Sequence, residues 1–280
     1  MKPIRIIPRL DVKNNNLIKG INLEGLRVLG NPYDYADTYY KNGADELIFN
    51  DAIASLYGIN SLHKIIRSLA NNIYIPICVG GGLKSIKDIE KMFYSGADKI
   101  YLNSALLQNR LKLKEVINHF GSPNITVNIE VISYENKYYT SYLSGREISK
   151  VNPFNWAKYC QDMGCGEIII TCVENEGLMK GPGLKIFEKM SKIIKVPLLA
   201  HGGFGNFKHV YDLIKNVDVS GVIIASLFHY EYINFINHHK IKSSKFGNFS
   251  YLNNIKRKKK RNLILELKKY LKKKRINVRI

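Results

Sequence analysis

The chain repeats itself. Residues near 43–106 recur near 164–228 at an offset of about 121. Gly43-Ala44-Asp45-Glu46-Leu47-Ile48-Phe49 matches Gly164-Cys165-Gly166-Glu167-Ile168-Ile169-Ile170, and Ile75-Pro76-Ile77-Cys78-Val79-Gly80-Gly81-Gly82 matches Val196-Pro197-Leu198-Leu199-Ala200-His201-Gly202-Gly203. Asn103-Ser104-Ala105-Leu106 approximates Ala225-Ser226-Leu227-Phe228. Within each copy, short apolar runs alternate with longer helical patterns, the signature of βα units on a parallel sheet. Strands are expected at about Ile4–Leu10, Glu46–Asn50, Ile75–Val79, Lys99–Leu102, Ile125–Glu130, Glu167–Cys172, Val196–His201 and Gly221–Ala225. Helical stretches lie between them, including Pro32–Asn42, Ser61–Ala70, Ser85–Tyr94, Pro153–Met163, Leu184–Ile194 and Phe207–Ile214. Two matching sets of four strands predict an α/β fold, a (β/α)8 TIM barrel built from two half-barrels. A doubly wound sheet would need no such duplication and would commonly show a GxGxxG turn after its first strand, which is absent.

Length and charge divide this chain unevenly. Its 280 residues carry a net charge of +20, yet residues 234–280 hold sixteen Lys and Arg against one acid, Glu266. The first 233 residues are therefore only mildly basic. The expected organisation is a barrel body at 1–233, a basic extension at 234–261 containing Lys256-Arg257-Lys258-Lys259-Lys260-Arg261, and a closing helix and tail at 262–280. Leu263, Ile264, Leu267 and Leu271 give that last segment one apolar stripe. A solvated cationic face is its plain reading, with nucleic acid or an anionic membrane as the alternative partner. Four cysteines without a CxxC pair, and seven histidines without a ligand spacing, argue against disulfides and against a metal; no cofactor is called for. No apolar run reaches the length of a membrane span and the start lacks a secretory signal, so a cytoplasmic protein is expected.

Barrels of this kind work at the C-terminal ends of their strands. Gly80-Gly81-Gly82 and Gly202-Gly203 follow strands three and seven, where main chain can approach a ligand closely. Asn103-Ser104 and Ala225-Ser226 follow strands four and eight and can present N–H groups from helix starts. One such cradle in each half predicts a small-molecule ligand with a phosphate at each end. Between the cradles each half opens with a strand ending in a carboxylate, Asp11 and Glu130. Two acids facing a substrate from opposite sides suit complementary proton transfers. Lys19 could pair with Asp11 or stabilise developing negative charge. At the other end Arg5, Glu46, Lys99 and Glu167 stand at strand starts. They read either as surface salt bridges or as a ring gating a path along the barrel axis.

The segment Arg5-Ile6-Ile7-Pro8-Arg9-Leu10-Asp11-Val12-Lys13, with Lys19-Gly20, Gly43-Ala44-Asp45-Glu46-Leu47, Val79-Gly80-Gly81-Gly82, Gly96-Ala97-Asp98-Lys99, Asn103-Ser104, Gly166-Glu167-Ile168, Gly202-Gly203 and Ala225-Ser226-Leu227-Phe228-His229, resembles the cyclase subunit of imidazole glycerol phosphate synthase. The ending, Glu266-Leu267-Lys268-Lys269-Tyr270-Leu271 through Asn277-Val278-Arg279, is similar too. The resemblance implies a barrel that receives ammonia from a glutaminase subunit docked on its N-terminal face, as a heterodimer. It implies that this ammonia and a phosphoribulosyl formimino carboxamide ribotide become imidazole glycerol phosphate and an aminoimidazole carboxamide ribotide in histidine biosynthesis. Asp11 and Glu130 would be catalytic, Lys19 and Asp51 supporting, and the charged ring an ammonia gate. Glu176 and Gly177, in the loop after strand six, would join the substrate-binding set.

Several residues depart from the pattern of that family. Glu130 and Glu176 stand where it has aspartate, and His201 and Arg9 where it has smaller residues. By strand alternation Arg9 shares the inward face with Arg5 and Asp11, where it could pair with Glu130 or narrow the ammonia path. These departures also suit a paralogous barrel that amidinates a nucleotide sugar in surface-polysaccharide biosynthesis.

Overall fold

The structure is a computed structural model that describes residues 2–54, 62–233 and 262–280. Eight parallel strands close on themselves in the order expected of a TIM barrel. They are β1 (Arg5–Lys13), β4 (Leu47–Asp51), β5 (Ile77–Gly80), β6 (Lys99–Leu102), β7 (Ile125–Tyr134), β10 (Glu167–Cys172), β11 (Leu198–His201) and β12 (Gly221–Ile224). Each pairs with its neighbours in this order, and β12 returns to β1 with Arg5 opposite Gly221. Helices α1 (Pro32–Lys41), α2 (His63–Ala70), α3 (Ile86–Tyr94), α4 (Ser104–Leu107), α5 (Leu113–Phe120), α6 (Pro153–Asp162), α7 (Leu184–Ser191), α8 (Phe207–Asn216) and α9 (Ser226–Ile233) connect the strands.

The duplication extends into details that set where elements begin. Asn31 caps α1 by accepting from Tyr33 N at 3.0 Å, and Asn152, 121 residues later, accepts from Phe154 N at 3.0 Å at the start of α6. Proline follows in both helices, filling a position whose N–H has no partner within the helix. Ser85 accepts from Asp88 N at the start of α3, and Asn206, again 121 later, accepts from His209 N at the start of α8. An oxygen-bearing side chain at these positions satisfies an N–H that the first helical turn leaves open, which is why the caps recur.

Four further strands lie outside the eight expected ones. β2 (Asn16–Ile21) and β3 (Glu24–Gly30) form an antiparallel excursion from β1, and β8 (Lys137–Tyr142) and β9 (Glu147–Ile148) form its counterpart from β7. Both first turns hold two left-handed residues, Asn14-Asn15 and Glu135-Asn136, as a tight hairpin with right-handed strand twist requires. Left-handed pairs recur at Asn22-Leu23 and Leu143-Ser144. The second excursion has longer arms: five residue pairs join β7 to β8, from Glu130–Ser141 to Tyr134–Lys137, against three joining β1 to β2. Asp11 and Glu130 each stand at the first pair of their hairpin.

Side-chain alternation sorts the barrel interior into layers. Arg5, Glu46, Lys99 and Glu167 lie at the N-terminal end. Above them Ile7, Ile48, Cys78, Tyr101, Ile169, Leu199 and Ile223 form a buried cluster separate from the core between strands and helices. Polar side chains follow at the next inward positions, among them Arg9, Asn50, Thr171 and His201.

The final helix α10 (Leu263–Lys273) buries Leu263, Ile264, Leu267 and Leu271, the expected stripe. Full burial of a leucine contributes about 1.5–3 kcal/mol. Its cationic side is not wholly solvated, because Lys268 is buried and donates to Asp45 Oδ1 at 2.8 Å. Asp45 Oδ2 in turn accepts from Ile6 N, so the ion pair ties the last helix to the first strand. The basic extension 234–261, including the run Lys256–Arg261, lies outside the described residues. Among the described residues no helix is long and apolar enough to cross a membrane, and no group of three metal-binding side chains occurs.

Candidate active site

Three strands separate β1 from β7 in either direction around the barrel, so Asp11 and Glu130 approach its mouth from opposite sides. The same count separates β5 from β11, and with them the turns Gly81-Gly82 and Gly202-Gly203. These turns need glycine for two reasons. Gly81 and Gly202 have φ of 90° and 110°, and a Cβ on them would run into the main chain of Asp51 and Cys172 respectively. The starts of α4 at Ser104 and α9 at Ser226 are likewise opposed across the barrel. One cleft at the mouth is lined by Asp11, Lys19, Asp51, Gly82, Asn103 and Glu130. A smaller one is lined by Gly177, Gly203, Ala225 and Ser226, and Glu176 borders both.

The two carboxyl groups stand in different electrostatic surroundings. Burial alone would raise the pKa of Asp11, but the adjacent Arg9 guanidinium, Lys19 and a hydrogen bond from Asn50 hold it down at about 2. Arg9 Nη2 lies 2.9 Å from Asp11 Oδ1, and Asn50 Nδ2 donates to the same oxygen at 2.7 Å. Glu130 is also buried, and there desolvation wins. Its pKa is pushed up to about 7 despite the more distant Arg9 charge and hydrogen bonds from Gly145 N and Asn103. At neutral pH Asp11 is thus fully ionised while about half of Glu130 is protonated.

Other expected residues are placed less simply. Lys19 pairs with Glu176 Oε1 at 2.8 Å and donates to the Gly20 carbonyl, rather than pairing with Asp11. Glu176 Oε2 also accepts from Leu23 N, so this buried pair fastens the loop after β10 to the β2–β3 excursion. Arg9 pairs with Asp11, not Glu130, because Asp11 lies on the same inward face of the same strand whereas Glu130 is across the barrel. Asp51 Oδ1 accepts from Ile53 N and Ala54 N, ordering the turn after β4. Ser104 Oγ accepts from Leu143 N at 3.0 Å and Asn103 donates to the Ser141 carbonyl, joining the first cradle to the second excursion.

Asn50, Tyr101, Asn128 and Thr171 were not singled out by sequence. Tyr101 donates to Asn50 Oδ1 at 2.5 Å, Thr171 donates to Asn128 Oδ1 at 2.8 Å, and the Thr171 hydroxyl lies 3.2 Å from His201 Nδ1. The available signal was parity: each falls two residues beyond an inward position of its strand.

At the opposite end, Arg5 bridges Glu46 at 2.8 Å and Glu167 at 2.5 Å, and Lys99 bridges the same two acids at 3.2 and 3.0 Å. This closed ring is not a set of surface salt bridges. Its side chains are only 1–18% exposed. Burying four charges is costly unless each meets an opposite one, and the alternation achieves that.

The profile of the family described as histidine biosynthesis protein matches residues 5–234. Relatives named imidazole glycerol phosphate synthase subunit HisF share this sequence at high coverage. The Legionella pneumophila protein is 41% identical over 209 residues, 74% of this chain and 99% of its own length. Those of Bacillus cereus strain AH187 and Flavobacterium johnsoniae are 35% and 34% identical over 227 and 229 residues, 81% and 82% of this chain and 90% and 91% of theirs. With the barrel, its paired glycine turns and a match of this extent, the chain belongs to the histidine biosynthesis protein family.

Proposed function

We propose that this barrel is the cyclase subunit of imidazole glycerol phosphate synthase. It joins ammonia to phosphoribulosyl formimino aminoimidazole carboxamide ribotide and releases imidazole glycerol phosphate and an aminoimidazole carboxamide ribotide. The observation that carries this reading is the opposed pair Asp11 and Glu130, midway between two matching cradles. Each phosphate of the substrate lies against glycine-turn amides and a helix start, one at Gly81, Gly82, Asn103 and Ser104, the other at Gly177, Gly202, Gly203, Ala225 and Ser226, where N–H groups and the helix dipole favour an anion. The ribulosyl carbon then sits between the carboxyls. Lys19, Asp51 and Glu176 shape the walls around it. A partner glutaminase on the N-terminal face delivers ammonia past the ring of Arg5, Glu46, Lys99 and Glu167 and along the axis. Sequestration matters because ammonia released to water at neutral pH becomes ammonium and loses its lone pair.

Purified protein given an ammonium salt and the bisphosphate should form both products, and the gene should restore growth without histidine to a strain lacking its cyclase. The relatives favour this substrate over a nucleotide sugar. A folded protein that is inert toward the bisphosphate but amidinates a nucleotide-sugar amide would overturn the reading.

A further inference from the structure

Asp11 and Glu130 hold equivalent places in the two halves, yet only one is clamped by a cation. Asp11 lies opposite Asn50 on β4 and Glu130 lies opposite Thr171 on β10, and Asn50 and Thr171 are themselves 121 residues apart. Two residues before each acid, on the same inward face, stand Arg9 and Asn128. Arg9 is buried and reaches Asp11 Oδ1 with Nε at 3.0 Å and Nη2 at 2.9 Å. Its third nitrogen, Nη1, faces His201 Nδ1 at 3.5 Å. Burial beside that charge keeps the imidazole neutral. Asn128 instead accepts from Thr171 and brings no charge to Glu130. Among the described residues the hydrogen bonds of Asp11 all fall on Oδ1.

We propose that Arg9 is a positioning residue that sets the direction of proton flow: it holds Asp11 ionised through Oδ1, leaves Oδ2 to take a proton from the incoming nitrogen, and so leaves Glu130 as the proton donor. This assignment rests on the cyclase reading above. In the addition step the ammonia lone pair forms an N–C bond to the ribulosyl ketone carbon, and the carbonyl π pair moves to oxygen. Glu130 gives its proton to that oxygen and the nitrogen gives one to Asp11 Oδ2, leaving a neutral carbinolamine, a protonated Asp11 and an ionised Glu130. The other charged or titratable groups acting on Asp11 are Lys19, Tyr101, Glu130, His201 and His229. Of these Lys19 is the one cation, and it is shared with Glu176, so removal of Arg9 takes away the largest charge holding Asp11 down and leaves Lys19 and the Asn50 hydrogen bond against desolvation.

The test is a carboxyl-carbon NMR titration of ligand-free protein labelled at aspartate, with the Asp11 signal identified by its loss in Asp11→Asn. In Arg9→Met, which keeps the length of the buried stem, the Asp11 midpoint should rise by about 1 to 3 pH units, and in Arg9→Lys it should stay low. Turnover at saturating ammonia should gain an acid limb at the shifted midpoint in Arg9→Met and lose it in Arg9→Lys. If Arg9→Met does not fold, Arg9→Gln, which keeps a donor without the charge, reads the same shift. An unmoved Asp11 midpoint overturns the proposal whether or not the wild type turns over. A shifted midpoint in a protein inert toward the bisphosphate overturns the cyclase reading, and the direction of proton flow with it, while the clamp on Asp11 stands. A shifted midpoint with an unshifted acid limb overturns Asp11 as the acceptor.

Discussion

The first and second half-barrels share a backbone plan and differ in charge. Cap residues, glycine turns and left-handed hairpin residues recur 121 positions apart, whereas the inward residues beside the two acids do not. Desolvation raises both acids; the adjacent Arg9 overcomes it at Asp11, which is held at about 2, while Glu130, farther from that charge, is left at about 7. Duplicated sequence thus preserves the scaffold while single inward substitutions divide the chemistry. A symmetric pair of acids, both ionised, could accept protons from either side but donate from neither.

The largest expected effect breaks this division outright. Asp11→Asn should lower ammonia-dependent kcat by about 100- to 10,000-fold, with cooperative unfolding retained, because it removes the carboxylate that takes the proton. Comparable kcat in a folded variant would remove Asp11 from the reaction.

Glu130→Gln sharpens the comparison through stability. Folding raises the Glu130 pKa from the usual 4.5 to about 7, so between those values the folded protein binds more proton than the unfolded chain. Stability contributed at this site therefore falls as pH rises from about 4.5 to 7. Glutamine does not titrate, and urea unfolding at pH 8 should show the variant more stable than wild type by about 2–3 kcal/mol, with the difference largely gone at pH 5. Asp11 has the opposite sign: its stabilisation is present above about pH 4 and is lost as pH falls toward 2. A Glu130→Gln gain that did not depend on pH would refute the raised pKa.

Where the halves are alike, matched variants should behave alike. Gly81→Ala and Gly202→Ala each force a side chain into left-handed backbone and into neighbouring main chain, and each should destabilise by about 2 kcal/mol in thermal or chemical unfolding. A tolerated substitution in only one half would show that the turns are not equivalent. The smallest effects belong to the caps. Ser85→Ala and Asn206→Ala should each cost about 1 kcal/mol, since each removes the oxygen that accepts from the third residue of its helix.

Much of this was legible without coordinates. The strands, the opposed acids and the glycine turns follow from apolar periodicity and from the repeat. The excursions after β1 and β7 were missed because their residues are polar and their apolar alternation is broken, although Asn14-Asn15 is a hairpin turn by residue type. The partners of Arg9 and Lys19 could be narrowed but not chosen. Parity placed Arg9 on the axis, and two residues' separation on one strand face decided for Asp11. Lys19 went to Glu176, 157 residues away, through a loop whose course no local pattern dictates.

By itself the sequence determined the barrel, its twofold plan and which residue types reach the mouth, because backbone periodicity, turn stereochemistry and helix caps act over a few residues. Only the tertiary structure decided that one acid is held ionised while its counterpart keeps its proton up to about neutral pH. Ionisation is set by water excluded and charges met through space, and those depend on side chains brought together from across the barrel.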